Sequence, residues 1–350
     1  MAYSSIVKPS DYFNTKLYTG NGSTNTITGV GFQPDWVWMK NRGALDSHYL
    51  YDAVRGVTKN IYSNLTSAEG TASNGLTAFG TDGFTLGNEG DINGNGNNYV
   101  SWNWLANNTS GSSNTDGSIT STVSVNTTSG FSIVKYTGNA TAGATIGHGL
   151  GVVPNVIIVK KINNTTNWSV YHSGLGNFAK VLSLNTSSAT TTDSGVWDNV
   201  PTSSTFLVGS DNTTNANGDN YIAYCFAEKQ GFSKFSSYVG NSGNNADAPF
   251  IYTGFKPAFV LIKNTVQASA WEMYDNKRDG FNPQVHGLRA NENAGEDNTD
   301  DLLDLLSNGF KLRHQGGGLN ETGDTFIYMA FAEQPLVSNS GTDGVPATAR

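Results

Sequence analysis

A single cysteine, Cys225, stands in 350 residues, so no internal disulfide can staple the fold. Charge is scarce as well. Only 14% of residues are charged, the net charge is −8, and no Lys/Arg cluster occurs. That excludes a nucleic-acid groove and an anionic-membrane surface. No apolar run approaches the roughly 18 residues of a membrane span. The opening "MAYSSIVKPSDYF" has neither the basic stretch nor the apolar core of a signal peptide. The expectation is a protein made in a cytoplasm, without membrane insertion. G-x-S-x-G, H-E-x-x-H, Walker and C-x-x-C motifs are missing too. None of His48, His148, His172, His286 and His314 is paired at a metal-ligand spacing. No catalytic residue, metal or cofactor is therefore expected.

What the chain has is glycine, at 41 positions, and much Asn, Ser and Thr. Such a composition favours short strands joined by polar turns. At 37% hydrophobic and 11% aromatic it still supplies real cores.

The most informative feature is a repeat. "GFQPDWVWMK" from Gly31, "GVVPNVIIVKK" from Gly151 and "GFKPAFVLIKN" from Gly254 share one pattern. Pro34, Pro154 and Pro257 lie three after the glycine; Lys40, Lys160 and Lys263 lie nine after it. Eight past the lysine come His48, Trp168 and Trp271; twelve past it come Asp52, His172 and Asp275. Fifteen past it come Arg55, Leu175 and Arg278. Each unit later carries "DGFTLG", "STFLVG" or "NGFKLR", then "NYVSWNWLA", "NYIAYCFAE" or "TFIYMAFAE". Agreement at so many fixed offsets marks three copies of one building block.

The implied organisation is an arm over 1–15, a first β repeat over 16–106 and a flexible polar linker over 107–130. A second repeat over 131–228, a third over 229–335 and a tail over 336–350 follow. Alternation within "DWVWMK" places Trp36 and Trp38 on one face, Val37 and Met39 on the other. The fold class expected is mainly β: three tandem antiparallel β-sandwich-like domains, with a small barrel as the alternative. Blades of about 40 to 50 residues would be needed for a propeller. One short helix is expected near 299–307, where "NTDDLLDLLSNG" offers a cap, early acids and a terminal glycine.

Three kinds of candidate site remain. Asp52–Arg55 and Asp275–Arg278 could grip a substrate, but the spacing equally suits a turn in which the carboxylate binds backbone N–H groups and the arginine. "DINGNG", Asp91–Gly96, begins like a calcium loop, yet the twelfth position is Trp102 rather than an acid, leaving at most a weak cation site. Trp168, Trp197 and Trp271 could stack sugars in a host-glycan site; the shared offset of Trp168 and Trp271 favours packing instead. The counterparts of Trp36 and Trp38 are Val156, Phe259, Ile158 and Leu261, which marks a core strand.

"DYFNTKLYTGNGSTNTITGVGFQPDWVWMKNR", "LYDAVRG", "DGFTLG" and "NYVSWNWLA" together resemble a repeat domain of virion structural and tail-fibre-like proteins of marine tailed phages. The resemblance is closest over 11–106. The second unit departs most, with His172 and Leu175 in place of Asp and Arg. The resemblance implies a non-enzymatic virion component, in capsid decoration or in a tail or fibre. Its implied partners are copies of itself and other virion proteins. A host-glycan-binding module is the alternative and a depolymerase a third reading. The arm would then be a docking strand for a neighbouring subunit.

Overall fold

A computed structural model describes residues 4, 6–297, 303–316 and 318–337. The protein is mainly β, with several antiparallel sheets and only single turns of helix among these residues. No helix among them is long and apolar enough to cross a membrane.

The strands follow from the two-residue period. Trp36–Asn41, Val156–Lys161 and Phe255–Asn264 are buried at every position, as strands covered on both faces must be. Trp36 and Trp38 enter one core while Val37 and Met39 enter another. Pro34 and Pro154 precede their strands by two residues. Pro257 lies inside its strand, where the ladder slips register, so its missing N–H disrupts no regular pair.

Three large sheets share one strand order. In the first, Phe13–Thr19 pairs with Asn98–Trp104, which pairs with Trp36–Asn41 and then Tyr49–Asp52. In the second the same places are held by Phe131–Thr137, Asn220–Phe226, Val156–Lys161 and Ser169–His172. In the third they are held by Ser233–Val239, Thr325–Pro335, Phe255–Asn264 and Trp271–Asp275. A smaller sheet covers one face of each: Asn25–Thr28 with Gly83–Leu86, Ala144–Gly147 with Thr205–Val208, and Phe250–Tyr252 with Gly309–Leu312.

The other faces of the large sheets meet one another. Trp36, Trp38, Ile158, Tyr224, Phe259 and Phe331 belong to a single buried cluster drawn from all three. At its centre stand Trp104, Phe226 and Phe331, which occupy equivalent places in the three last strands. Their ring centroids are 6.4 Å apart for Trp104–Phe226 and 5.7 Å for each of the other two pairs. The three sheets thus surround one approximate threefold axis, and the expected separate domains share a core. Burying one Leu- or Phe-sized side chain contributes about 1.5–3 kcal/mol, so this shared cluster binds the units firmly.

Two expectations change. The stretch 107–130 is no flexible linker: Ser112–Asn114 and Ser121–Asn126 form strands that extend the second sheet beyond Phe131–Thr137. Val123 and Ile119 supply the apolar contacts that hold them. The helix near 299–307 is replaced, within the described residues, by the strand Leu303–Leu306 paired with Gly309–Leu312. Leu303 and Leu305 reach the core together only at a two-residue period; residues 299–302 lie outside the described ones. The described residues of the arm pack on the chain's own core. Ile6 is 1% exposed within the shared core, and the Tyr12 ring lies 6.1 Å from that of Phe232. An ideal Cβ on Gly231 would lie 2.7 Å from Ser4 Cβ and 3.6 Å from Pro335 Cβ, so both ends of the described chain converge there. Of the expected tail, residues 338–350 lie outside the described ones.

Candidate functional site: the clasps between units

The repeated polar positions come together at the borders between sheets. Eight residues past each lysine, a ring N–H reaches the preceding unit. Trp168 donates from Nε1 to Tyr62 O at 2.9 Å, and Trp271 donates from Nε1 to Ser183 O at 3.0 Å. His48 closes the circle, with Nε2 3.1 Å from Arg289 O. Its Nδ1 accepts from Trp38 Nε1 at 2.9 Å, which leaves the proton on Nε2. Burial pushes the His48 pKa well below the ordinary imidazole value, so it stays neutral.

Twelve residues past the lysine lies a second set. Asp52 accepts from Arg55 N at 2.8 Å and from Arg55 Nε at 2.5 Å. Asp275 does the same with Arg278, at 3.1 and 2.6 Å. Both arginines also cap backbone carbonyls, Leu50 O and Met273 O. Burial works against the Arg55 charge, but Asp52 beside it holds the guanidinium above its usual range. Each carboxylate then accepts one bond from another unit: Asp52 from Tyr224 OH at 2.7 Å, Asp275 from Trp102 Nε1 at 3.1 Å.

His172 occupies the same place in the second unit with the opposite polarity. Its Nδ1 accepts from Gly174 N at 3.0 Å, so Nε2 carries the proton and donates to Tyr328 O at 3.1 Å. The reason lies across the border. Trp102 and Tyr224 offer a donor; their counterpart in the third unit is Met329, which has none. A carboxylate there would find no donor across the border, whereas a neutral imidazole finds a carbonyl. Burial pushes the His172 pKa down to about 4. Leu175, buried, replaces the arginine that such a carboxylate would need.

The three lysines are fully buried. Lys40 donates from Nζ to Asn41 O at 2.7 Å and Ala44 O at 2.9 Å. Lys160 donates to Thr66 O of the first unit and Thr166 O, at 3.1 and 3.0 Å. Lys263 donates to Ser187 O of the second unit and Asn264 O, at 3.1 and 2.8 Å. Burial pushes their pKa values down to about 8, about 7 and about 8.

One repeated set escapes the sequence reading. Asn93, Asn215 and Asn320 are fully buried, each six residues before the aromatic that opens the last strand. The side chains donate to Gly87 O, Gly209 O and His314 O, and accept from the backbone N–H of Asn21, Asn139 and Asn241. Each pins two loops of its unit. The shared offset from Tyr99, Tyr221 and Phe326 is the signal that finds them.

The glycan candidates do not form a site. Trp168, Trp197 and Trp271 are 0%, 1% and 3% exposed, so no sugar face can reach them. Two are inter-unit clasps, and Trp197 packs edge-on against Tyr171 with centroids 6.1 Å apart. Asp91–Gly96 is also engaged: Gly90–Asn93 makes one helical turn, and Asp91 accepts from Tyr49 OH at 2.9 Å. Among the described residues no group of three acidic, His or Cys side chains could hold a metal.

The third unit differs outwardly. Ile27, Ile146 and Ile251 are equivalent, since each pairs with Phe84, Phe206 or Phe310. The residues flanking the isoleucine are Thr26 and Thr28, then Thr145 and Gly147, then Phe250 and Tyr252. Phe250 and Tyr252 are 44% and 54% exposed.

Residues 8–335 match a family described as a domain of unknown function, DUF7483. No curated protein and no solved structure matches the chain.

Proposed function

The chain belongs to the DUF7483 family, and we propose that it is a non-enzymatic structural protein of a phage particle. In this reading it is built of three tandem β repeats and exposed on the virion as capsid decoration or as a tail or fibre component. It is made in the host cytoplasm and assembles with copies of itself and with other virion proteins.

One observation carries the reading: the repeated Asp, Arg, His, Lys and Trp side chains are turned inward and engaged, with Asp52, Asp275, His48, His172, Trp168, Trp271, Lys160 and Lys263 bonding from one unit to another. Groups so engaged rigidify a ring; they are not presented to a substrate. The resemblance of residues 11–106 to virion repeat domains supports the particle setting. Phe250 and Tyr252, apolar and exposed where the other units carry Thr or Gly, supply a face for assembly.

Two measurements test it. Proteomic analysis and immunogold labelling of purified particles should find the protein on the virion surface; absence from particles that otherwise retain their structural proteins overturns the reading. Sedimentation of the purified chain should show self-association that Phe250→Thr with Tyr252→Thr removes.

A further inference from the structure

One cluster in the second unit exceeds what the clasps require. At the position following the repeated lysine, the first and third units carry Asn41 and Asn264, whose Nδ2 atoms donate to Asp46 at 2.7 Å and Asp324 at 2.8 Å. The second unit carries Lys161 there. Its side chain is 2% exposed, and Nζ lies 2.6 Å from Asp219 Oδ2. A lysine could simply replace the asparagine in this pairing. The same Nζ, however, also contacts Oδ1 of Asn212. Asn212 follows Asp211, whose carbonyl accepts from Asn215 N; in the first unit Glu89 O accepts from Asn93 N, so the counterpart of Asn212 is Gly90. Amine and carboxamide thus occur together in the unit where the first has neither.

The surroundings hold the three groups in place. Tyr221 packs its ring 5.8 Å from the Lys161 ammonium and donates from its hydroxyl to Asn212 O at 2.9 Å. Asn163 and Asn164 donate to Asp219 Oδ1 at 2.9 and 2.8 Å, leaving Oδ2 to the lysine. The Asn212 side chain stands at an exposed position above the buried amine.

We propose that Lys161 and Asn212 join in an intramolecular isopeptide bond, with Asp219 as the proton carrier. Asp219 takes a proton from the Lys161 ammonium, and the freed amine lone pair adds to Cγ of Asn212. That proton passes to Nδ2, the Cγ–Nδ2 bond breaks and ammonia leaves to solvent; the acylated nitrogen then gives its second proton to the Asp219 carboxylate, which releases it to solvent. One amine and one primary amide become one secondary amide and one ammonia. No oxidant or cofactor takes part. Held contact between the groups supplies the effective concentration that an uncatalysed amide exchange lacks. The bond ties the central strand Val156–Lys161 to the loop before Asn220–Phe226, across 51 residues of sequence. It gives a chain with one cysteine the covalent brace that a disulfide cannot. The inference is independent of the particle setting proposed above.

Intact-mass spectrometry of the purified full-length protein decides it. The expected mass is that of the chain less one ammonia. Tryptic digestion should return one branched peptide containing both Lys161 and Asn212. Lys161→Arg, which keeps the charge facing Asp219, and Asn212→Ala should restore the full mass; so should Asp219→Ala. Circular dichroism of Lys161→Arg should match the parent, separating loss of the bond from loss of the fold. The full mass in the unaltered protein overturns the proposal. So does loss of ammonia with both peptides linear, because that signals a succinimide at an asparagine. A branched peptide that persists in Asp219→Ala overturns the role of the carboxylate.

Discussion

The first and third units answer a border contact with Asp and Arg; the second answers it with His and Leu. The structure makes this one solution with two polarities. Where the neighbouring unit offers Tyr224 OH or Trp102 Nε1, an anionic acceptor backed by arginine receives it. Where the neighbour has Met329, a neutral imidazole donates to Tyr328 O instead. The lesson is that the position serves a hydrogen bond across the border. A catalytic carboxylate would not tolerate exchange for a donor.

Breaking the comparison at the buried ion pairs should have the largest effect. Asp52→Ala or Asp275→Ala leaves a neighbour's donor unpaired and takes the nearest carboxylate from a buried guanidinium, which keeps only the longer contacts to Glu69 at 3.3 Å or Glu296 at 3.5 Å; it should cost about 3–5 kcal/mol in urea unfolding. His172→Ala removes a neutral group and should cost about 1–3 kcal/mol. Equal losses at the three positions would contradict the two-polarity account.

The next test exchanges one solution for the other. His172→Asp alone places a carboxylate opposite Met329 and beside Leu175, without a donor across the border and without a counter-charge. Adding Leu175→Arg and Met329→Tyr supplies both. The triple variant should recover most of the stability lost by the single one, with a coupling of about 0.5–3 kcal/mol in a mutant cycle. Simple additivity would show that the border positions do not communicate.

The three units are alike in their lysines, and pH reads them. Lys40, Lys160 and Lys263 have folded pKa values of about 8, 7 and 8, below the ordinary 10.5. Below pH 7 both folded and unfolded states hold the proton, and the cost of the buried ammonium is fully present. Between about pH 7 and 10 the unfolded state binds more protons, so stability rises with pH. Above about pH 10 the trend reverses, because burial raises the phenol pKa values of Tyr18 and Tyr136. Urea titrations at pH 7 and 9.5 should show greater stability at the higher pH. Lys160→Met should flatten the early part of that rise; an unchanged slope would remove Lys160 from the account.

The smallest effect on folding is expected at the outward difference. Phe250→Thr with Tyr252→Thr restores the residues of the first unit and should leave unfolding within about 0.5 kcal/mol. A large destabilisation would mean that these rings belong to the core rather than to an assembly face.

The repeat offsets made the strands and their sidedness legible. The change from Trp36 to Val156 or Phe259 identified a packing position, and Trp36 is 1% exposed. The shared offset of Trp168 and Trp271 pointed to packing as well. Closure into a ring was not legible, because its bonds join residues far apart in sequence: 106 positions for Trp168–Tyr62 and 241 for His48–Arg289. Local patterns misled in two places. "NTDDLLDLLSNG" has helix punctuation, yet Leu303 and Leu305 are drawn into a strand by a core supplied from elsewhere. The Ser/Thr-rich stretch 107–130 looked solvated, but its few apolar residues dock on the second sheet.

A ring of equivalent units does not care where its chain is interrupted. Ser4 and Pro335 both lie against Gly231, so a peptide could bridge them and new termini could be opened in the turn near Asn107–Gly111. Such a circular permutant would thread the second unit first and keep every clasp. Fusion partners could then be displayed from another side of the molecule.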